Sequence, residues 1–99
     1  MDQIEFLAKL ADLSGRIDAR SEDFEERGEF SDVHRETASR IRQHHDQLRV
    51  KVEEAVRQGA TWDLIKAEFI RDYNRLFDDL LKFEEDLDAD AMKDRKRPI

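Results

Sequence analysis

Long stretches without a helix-breaking residue are the strongest constraint on how this chain folds. Only three glycines and one proline occur in 99 residues, and Gly28 and Gly59 divide the chain into three segments. Ser31 and Thr61 follow these glycines, and both residue types accept hydrogen bonds from unpaired amides in the first turn of a helix. The segments predict three helices, at about residues 3–27, 32–58 and 62–92.

The hydrophobic periodicity of all three segments is helical, and strand-like alternation is absent. Matched lengths and two short connections favour an all-α fold, an antiparallel up-down-up three-helix bundle. Helix 1 is weakest at Gly15, because glycine costs about 1 kcal/mol inside a helix, and at Ser21, which is able to cap a new helix. We expect a kink or a break there. The prediction is a single helical-bundle domain over residues 1–92 and a frayed basic tail over residues 93–99.

The composition is 38% hydrophobic and 43% charged, so the core is confined to narrow stripes on each helix. The net charge of −7 repels phosphate backbones, which argues against nucleic-acid binding. The basic tail is preceded by a run of acidic residues that offsets its field. Cysteine is absent, and neither a basic leader nor a membrane-length apolar run is present. We therefore expect a cytoplasmic protein without membrane contact.

Helix 3 carries more apolar surface than its neighbours require. Its main stripe comprises Trp62, Ile65, Phe69, Tyr73, Leu76, Leu80, Phe83 and Leu87. A second row, Ile70, Phe77 and Leu81, recurs at spacings of seven and four residues and is named the seam here.

Helix 1 is expected to pack against this stripe. Its own apolar side is broad only in the first turns, where Ile4, Leu7 and Ala11 widen it. Further along, Arg20 and Arg27 occupy core-like positions, so apolar surface on helix 3 from Leu76 to Leu87 is predicted to be left over. The seam is then a surface for self-association or for a partner. The alternative is that a kinked helix 1 covers it.

Three histidines, His34, His44 and His45, lie near the centre of the apolar stripe of helix 2. A helical metal site needs a second ligand three or four residues away, and no histidine or carboxylate stands there. A site is conceivable only across helices, for example with Asp79 or Glu84. Hydrogen bonding to helix 3 carboxylates or Tyr73 is the simpler expectation, and pH sensing is a third reading.

No constellation for catalysis is present in the sequence. Cysteine is absent, no serine stands in a Gly-x-Ser-x-Gly context, and no glycine-rich loop is available to cradle phosphate. We therefore predict a protein that is not an enzyme and needs no cofactor. The preferred hypothesis is a helical interaction or regulatory module that associates through helix 3 with itself, as a homodimer of six helices, or with another helical protein. The alternative is a metal- or ligand-binding protein that uses the histidine-bearing part of helix 2.

Overall fold

A computed structural model describes the backbone of residues 1–95 and the side chains of residues 1–91. Three α-helices follow one another: α1 (Gln3–Glu26), α2 (Asp32–Arg57) and α3 (Trp62–Arg95). No strand occurs in these 95 residues. The predicted starts of the helices are confirmed, whereas α3 runs to Arg95, past its predicted end at 92. The rest of the predicted tail, residues 96–99, lies outside the described residues.

Both connections end a helix in the way the sequence indicates. Gly28 and Gly59 adopt φ angles of 71° and 88°, a left-handed conformation that glycine enters without a side-chain clash. Ser31 then caps α2: its Oγ accepts from the His34 amide at 3.2 Å. α1 starts similarly, since Asp2 accepts from the Glu5 amide at 2.8 Å. α1 is one continuous helix through Gly15, so the predicted break is absent, and a bend without a break stays a prediction.

The order of contacts between helices confirms the antiparallel up-down-up bundle. Phe6, near the start of α1, packs on Trp62 at the start of α3, and Arg20 pairs with Asp88 farther along both. α1 and α3 are therefore parallel. α2 runs the other way, since its Arg42 pairs with Asp18 and its later residue His45 reaches the carbonyl of Leu10, which is earlier in α1. All three helices contact one another, and the bundle measures 61 × 18 × 17 Å.

The core is a stack of side chains at heptad-like spacing along all three helices. Its buried apolar members are Phe6, Leu10, Leu13, Ile17, Phe24, Ala38, Ile41, Leu48, Val52, Phe69, Leu76, Leu80, Phe83, Leu87 and Ala91. Two features differ from expectation, one at each end of the bundle.

Towards the C-terminal end of α3, the stripe from Leu76 to Leu87 is buried, so this stripe leaves no surplus apolar surface. The reason is that Phe24, rather than Arg20 or Arg27, fills the interior position of α1. The guanidinium groups of Arg20 and Arg27 lie over the Phe24 ring at 5.4 and 4.8 Å, so their stems help to close that end.

At the other end, the widening of the α1 core stripe was predicted wrongly. Ile4 is 80% exposed and Ala11 is exposed as well, while Leu7 is half-buried. Ile4 and Ala11 lie too far around the helix from Phe6 and Leu10 to enter the core, whereas Leu7 packs against its edge as predicted.

Candidate interaction surfaces

The seam lies along the junction of α1 and α3 and is partly covered. Ile70 and Phe77 are half-buried and pack against the core, while Leu81 is 36% exposed. The Arg16 guanidinium of α1 lies 5.8 Å from the centre of the Phe77 ring, and Tyr73 stacks on Phe77 at 6.2 Å. α1 therefore covers the middle of the seam and leaves Leu81 open.

A buried carboxylate links α1 to α3 beside the seam. Glu84, whose side chain is 12% exposed, accepts hydrogen bonds from Arg16 Nε and Nη2 at 2.8 and 2.5 Å. Arg20 Nε lies 3.5 Å from the same carboxylate, and its Nη2 bonds Asp88 at 2.7 Å. The bond to Glu84 raises the pKa of Arg16. α1 and α3 are thus joined by a bidentate ion pair directly beside the seam.

Tyr73 is the half-buried ring between the core and the seam. Burial raises the pKa of its hydroxyl above the ordinary value of 10.0; Asp12 acts in the same direction, and Arg16 opposes both. The unfolded chain, with the ordinary pKa, therefore ionises first as the pH rises, and it is stabilised relative to the fold.

A Tyr73→Phe variant tests this alkaline sensitivity. Stability owed to the raised pKa is fully present below pH 10.0 and is lost as the pH rises through the folded value. The wild type is expected to lose unfolding free energy above that pH faster than the variant does. Urea denaturation at a series of alkaline pH values measures the difference, and parallel curves would show that burial of Tyr73 does not govern it.

His34 links the start of α2 to the C-terminal part of α3. It is 5% exposed; its Nδ1 accepts from the Ser31 amide at 3.2 Å, and its Nε2 contacts Asp90 Oδ2 at 2.7 Å. A neutral ring that donates from Nε2 satisfies both contacts. This agrees with the expected hydrogen bond to an α3 carboxylate and completes a capping box for α2.

His45 contacts α1 and not α3. It is 5% exposed, with Nε2 2.9 Å from the Leu10 carbonyl oxygen and Nδ1 3.0 Å from Asp46 Oδ1. Both partners are acceptors, so the ring satisfies both contacts only when each nitrogen carries a hydrogen. The combination of His45 with Asp79 or Glu84, named above as a conceivable metal site across helices, is not formed with Glu84: the Glu84 carboxylate faces α1 and bonds Arg16.

His44 is the exposed histidine of the three. It lines two grooves between α2 and α3, of about 270 and 290 Å³, and Asp79 lines both of them. Lys51, Arg75 and other charges of both signs share these walls. Within the described residues no group of three or more His, Cys, Asp or Glu side chains is placed to hold a metal ion.

One surface was missed by the sequence reasoning. A narrow stripe on the solvent-facing side of α1, flanked by Asp12 and Asp18, carries no charge over about four turns. It is named the α1 face and comprises Ile4, Ala8, Ala11, Gly15 and Ala19. All five residues are exposed. A usable signal was present, because uncharged residues recur at helical spacing in a chain with 43% charged residues.

No helix in the described part of the chain is both long enough and apolar enough to cross a membrane. No family model, curated protein or solved structure matches the chain. The class of protein is therefore defined by fold alone: an elongated, highly charged, antiparallel three-helix bundle.

Proposed function

We propose that this protein is a non-catalytic interaction module that binds an amphipathic helix of another protein along the seam. The observation that carries the proposal is the exposure of Leu81, which continues the half-buried row of Ile70 and Phe77. An apolar row at helical spacing along the junction of two helices is a surface on which a third, amphipathic helix is able to pack.

The charges beside the seam favour a partner with basic residues. Asp78 and Glu85 project from α3 on its solvent side, and neither forms a salt bridge with any described residue. A second α3 laid over the first would set these acids against acids. The charge pattern thus disfavours a six-helix assembly centred on α3 and supports a lysine- or arginine-flanked helix.

The alternative proposal, a metal or ligand site at the histidines, has less support. His34 and His45 are committed to hydrogen bonds that hold the bundle together. The remaining pair, His44 and Asp79, lies in shallow grooves of mixed charge, which favour no single class of ligand.

A Leu81→Asp variant tests the seam with a synthetic amphipathic peptide whose leucine stripe is flanked by lysines. Loss of burial together with a charge in the interface is expected to weaken binding by about tenfold or more. Isothermal titration measures the affinities. The matched control is Leu64→Asp, since Leu64 is 84% exposed on the same helix and distant from the seam.

A second peptide separates recognition from general attraction to an acidic protein. Replacing its lysines by glutamates should abolish binding if the rim beside Leu81 is recognised. Equal losses for Leu81→Asp and Leu64→Asp, or equal binding of both peptides, would exclude the seam as the docking site.

A further inference from the structure

The α1 face is an uncharged stripe that the bundle leaves uncovered. Ile4 is 80% exposed at one end of it. Towards the middle, a Cβ added at Gly15 would meet no atom within 4 Å. Small side chains let another helix approach the backbone closely, and a large apolar one beside them supplies something to bury.

An apolar groove runs beside this face, between α1 and α2. It has a volume of about 290 Å³ and is walled on the α1 side by Leu7, Leu10, Ala11 and Ser14. Ala11 belongs to both the groove and the α1 face, so the two form one continuous surface. The opposite wall is His45, Arg49 and Glu53 of α2.

The charged rims of this surface indicate what covers it. On α1 the rim reads acidic, basic, acidic, basic along the chain: Glu5, Lys9, Asp12 and Arg16. On α2, read in the same spatial direction, the rim has the same signs in the same order: Glu53, Arg49, Asp46 and Arg42. All eight side chains belong to exposed residues. Arg16 and Arg42 also pair within the chain, with Glu84 and Asp18, so the inner charges of each rim carry the complementarity between copies.

A row of charges in this order is complementary to the same row running in the opposite direction. Laid antiparallel over itself, the α1 rim sets Lys9 opposite Asp12 and Glu5 opposite Arg16 of the second copy. The α2 rim likewise sets Arg49 opposite Asp46 of the second copy. A parallel pair would instead set like charges opposite each other wherever the two α1 rims met, which disfavours that arrangement.

We propose that two copies of this chain pair antiparallel through the α1 face and its groove, α1 over α1 and α2 over α2. The twofold axis passes close to Ala11, because the midpoint of the α1 rim falls between Leu10 and Ala11. The contact of His45 with the Leu10 carbonyl places the midpoint of the α2 rim within about one helical turn of that height. Ile4 then lies between Gly15 and Ala19 of the second copy, where side chains are smallest.

This dimer is independent of the helix-binding function proposed above. The seam lies at the junction of α1 and α3, and the groove lies at the junction of α1 and α2. Arg16 of the α1 rim lies over Phe77 of the seam, so the two surfaces adjoin there, whereas Leu81, whose exposure carries the helix-binding proposal, belongs to α3 and lies outside the pairing surface.

The first experiment measures the mass of the full chain by light scattering at protein concentrations between about 10 μM and about 1 mM. A rise from monomer to dimer is expected for the wild type. Gly15→Lys is expected to raise the dissociation constant by at least about tenfold, because it places a long charged side chain against Ile4 of the second copy. Its unfolding midpoint should stay the same or rise, since lysine favours a helix more than glycine does.

Ala11→Lys provides the same test at the axis, and Ala67→Lys is its matched control, an exposed alanine changed identically on α3. The control should dimerise like the wild type. The Leu81→Asp variant should do so too, which separates this proposal from the function of the seam. A monomer at every concentration, or equal effects of Ala11→Lys and Ala67→Lys, would overturn the proposal.

A second experiment determines whether the two copies pair antiparallel. The chain has no native cysteine, so any disulfide must involve the introduced thiol. A cysteine at Ala11 lies next to its own copy across the axis, so Ala11→Cys should form a disulfide-linked dimer on oxidation. In Ile4→Cys the two thiols would be about 20 Å apart at 1.5 Å per residue, beyond the reach of a disulfide. Crosslinking at both positions would indicate a parallel dimer, and crosslinking at neither would contradict pairing through this face.

Discussion

Replacing Phe6 by alanine is expected to lower the free energy of unfolding by about 4 kcal/mol. The ring is fully buried, with its centroid 5.3 Å from that of Trp62, 6.5 Å from Phe69 and 5.9 Å from Tyr73. Truncation removes all three aromatic contacts and leaves a cavity where α1 and α3 begin. Urea denaturation, followed by the fluorescence of the single tryptophan, Trp62, measures the loss.

The matched control for Phe6 is two residues away on the same helix. Ile4→Ala removes an apolar side chain that is 80% exposed, and it should change the unfolding free energy by no more than about 0.5 kcal/mol. The measurement is made on dilute protein, where association through the α1 face does not contribute. Similar losses for the two variants would mean that α1 is rotated about its axis relative to the structure.

Replacing Glu84 by alanine is expected to lower the free energy of unfolding by about 2–3 kcal/mol. Its carboxylate joins Arg16 and Arg20 of α1 to α3, and its removal leaves the buried Arg20 Nε without a carboxylate. The expected loss is smaller than for a fully buried pair, because the Arg16 and Arg20 side chains remain 46% and 28% exposed and reach water.

Glu85 provides the control for Glu84, because it is the exposed carboxylate next to it. Glu85→Ala should alter stability by about 0.5 kcal/mol at most. Chemical denaturation of both variants gives the comparison, and a Glu84→Gln variant separates charge from side-chain volume. If Glu84→Ala were as stable as Glu85→Ala, the ion pair would not hold α1 to α3, and the seam would be free to widen.

The two proposed interaction surfaces differ in how the fold creates them. The seam exists because α3 carries two apolar rows and α1 covers only part of the second one, with Arg16 over Phe77. The α1 face exists because small residues occupy the side of α1 that no other helix contacts. A module with both surfaces would pair with itself on one side and hold a partner helix on another.

The sequence by itself determined the three helices, the turns between them and the topology. These are local properties: Gly28 and Gly59 adopt the left-handed conformation, Ser31 caps the next helix, and short connections force neighbouring helices to run antiparallel. The burial of Leu76, Leu80 and Phe83 also follows from their spacing. The extent to which the side chains of α1 cover them was predicted wrongly.

Only the tertiary structure decided which side chains meet. The rotation of each helix about its axis depends on packing against two neighbours at once, and a shift of one position decides between Arg20 and Ser21 in the interior. Hence Ile4 proved exposed, His45 turned to α1, and Glu84 paired with arginines rather than with a histidine. Helix formation is fixed by interactions within a few residues, whereas these contacts depend on the summed fit of side chains from all three helices.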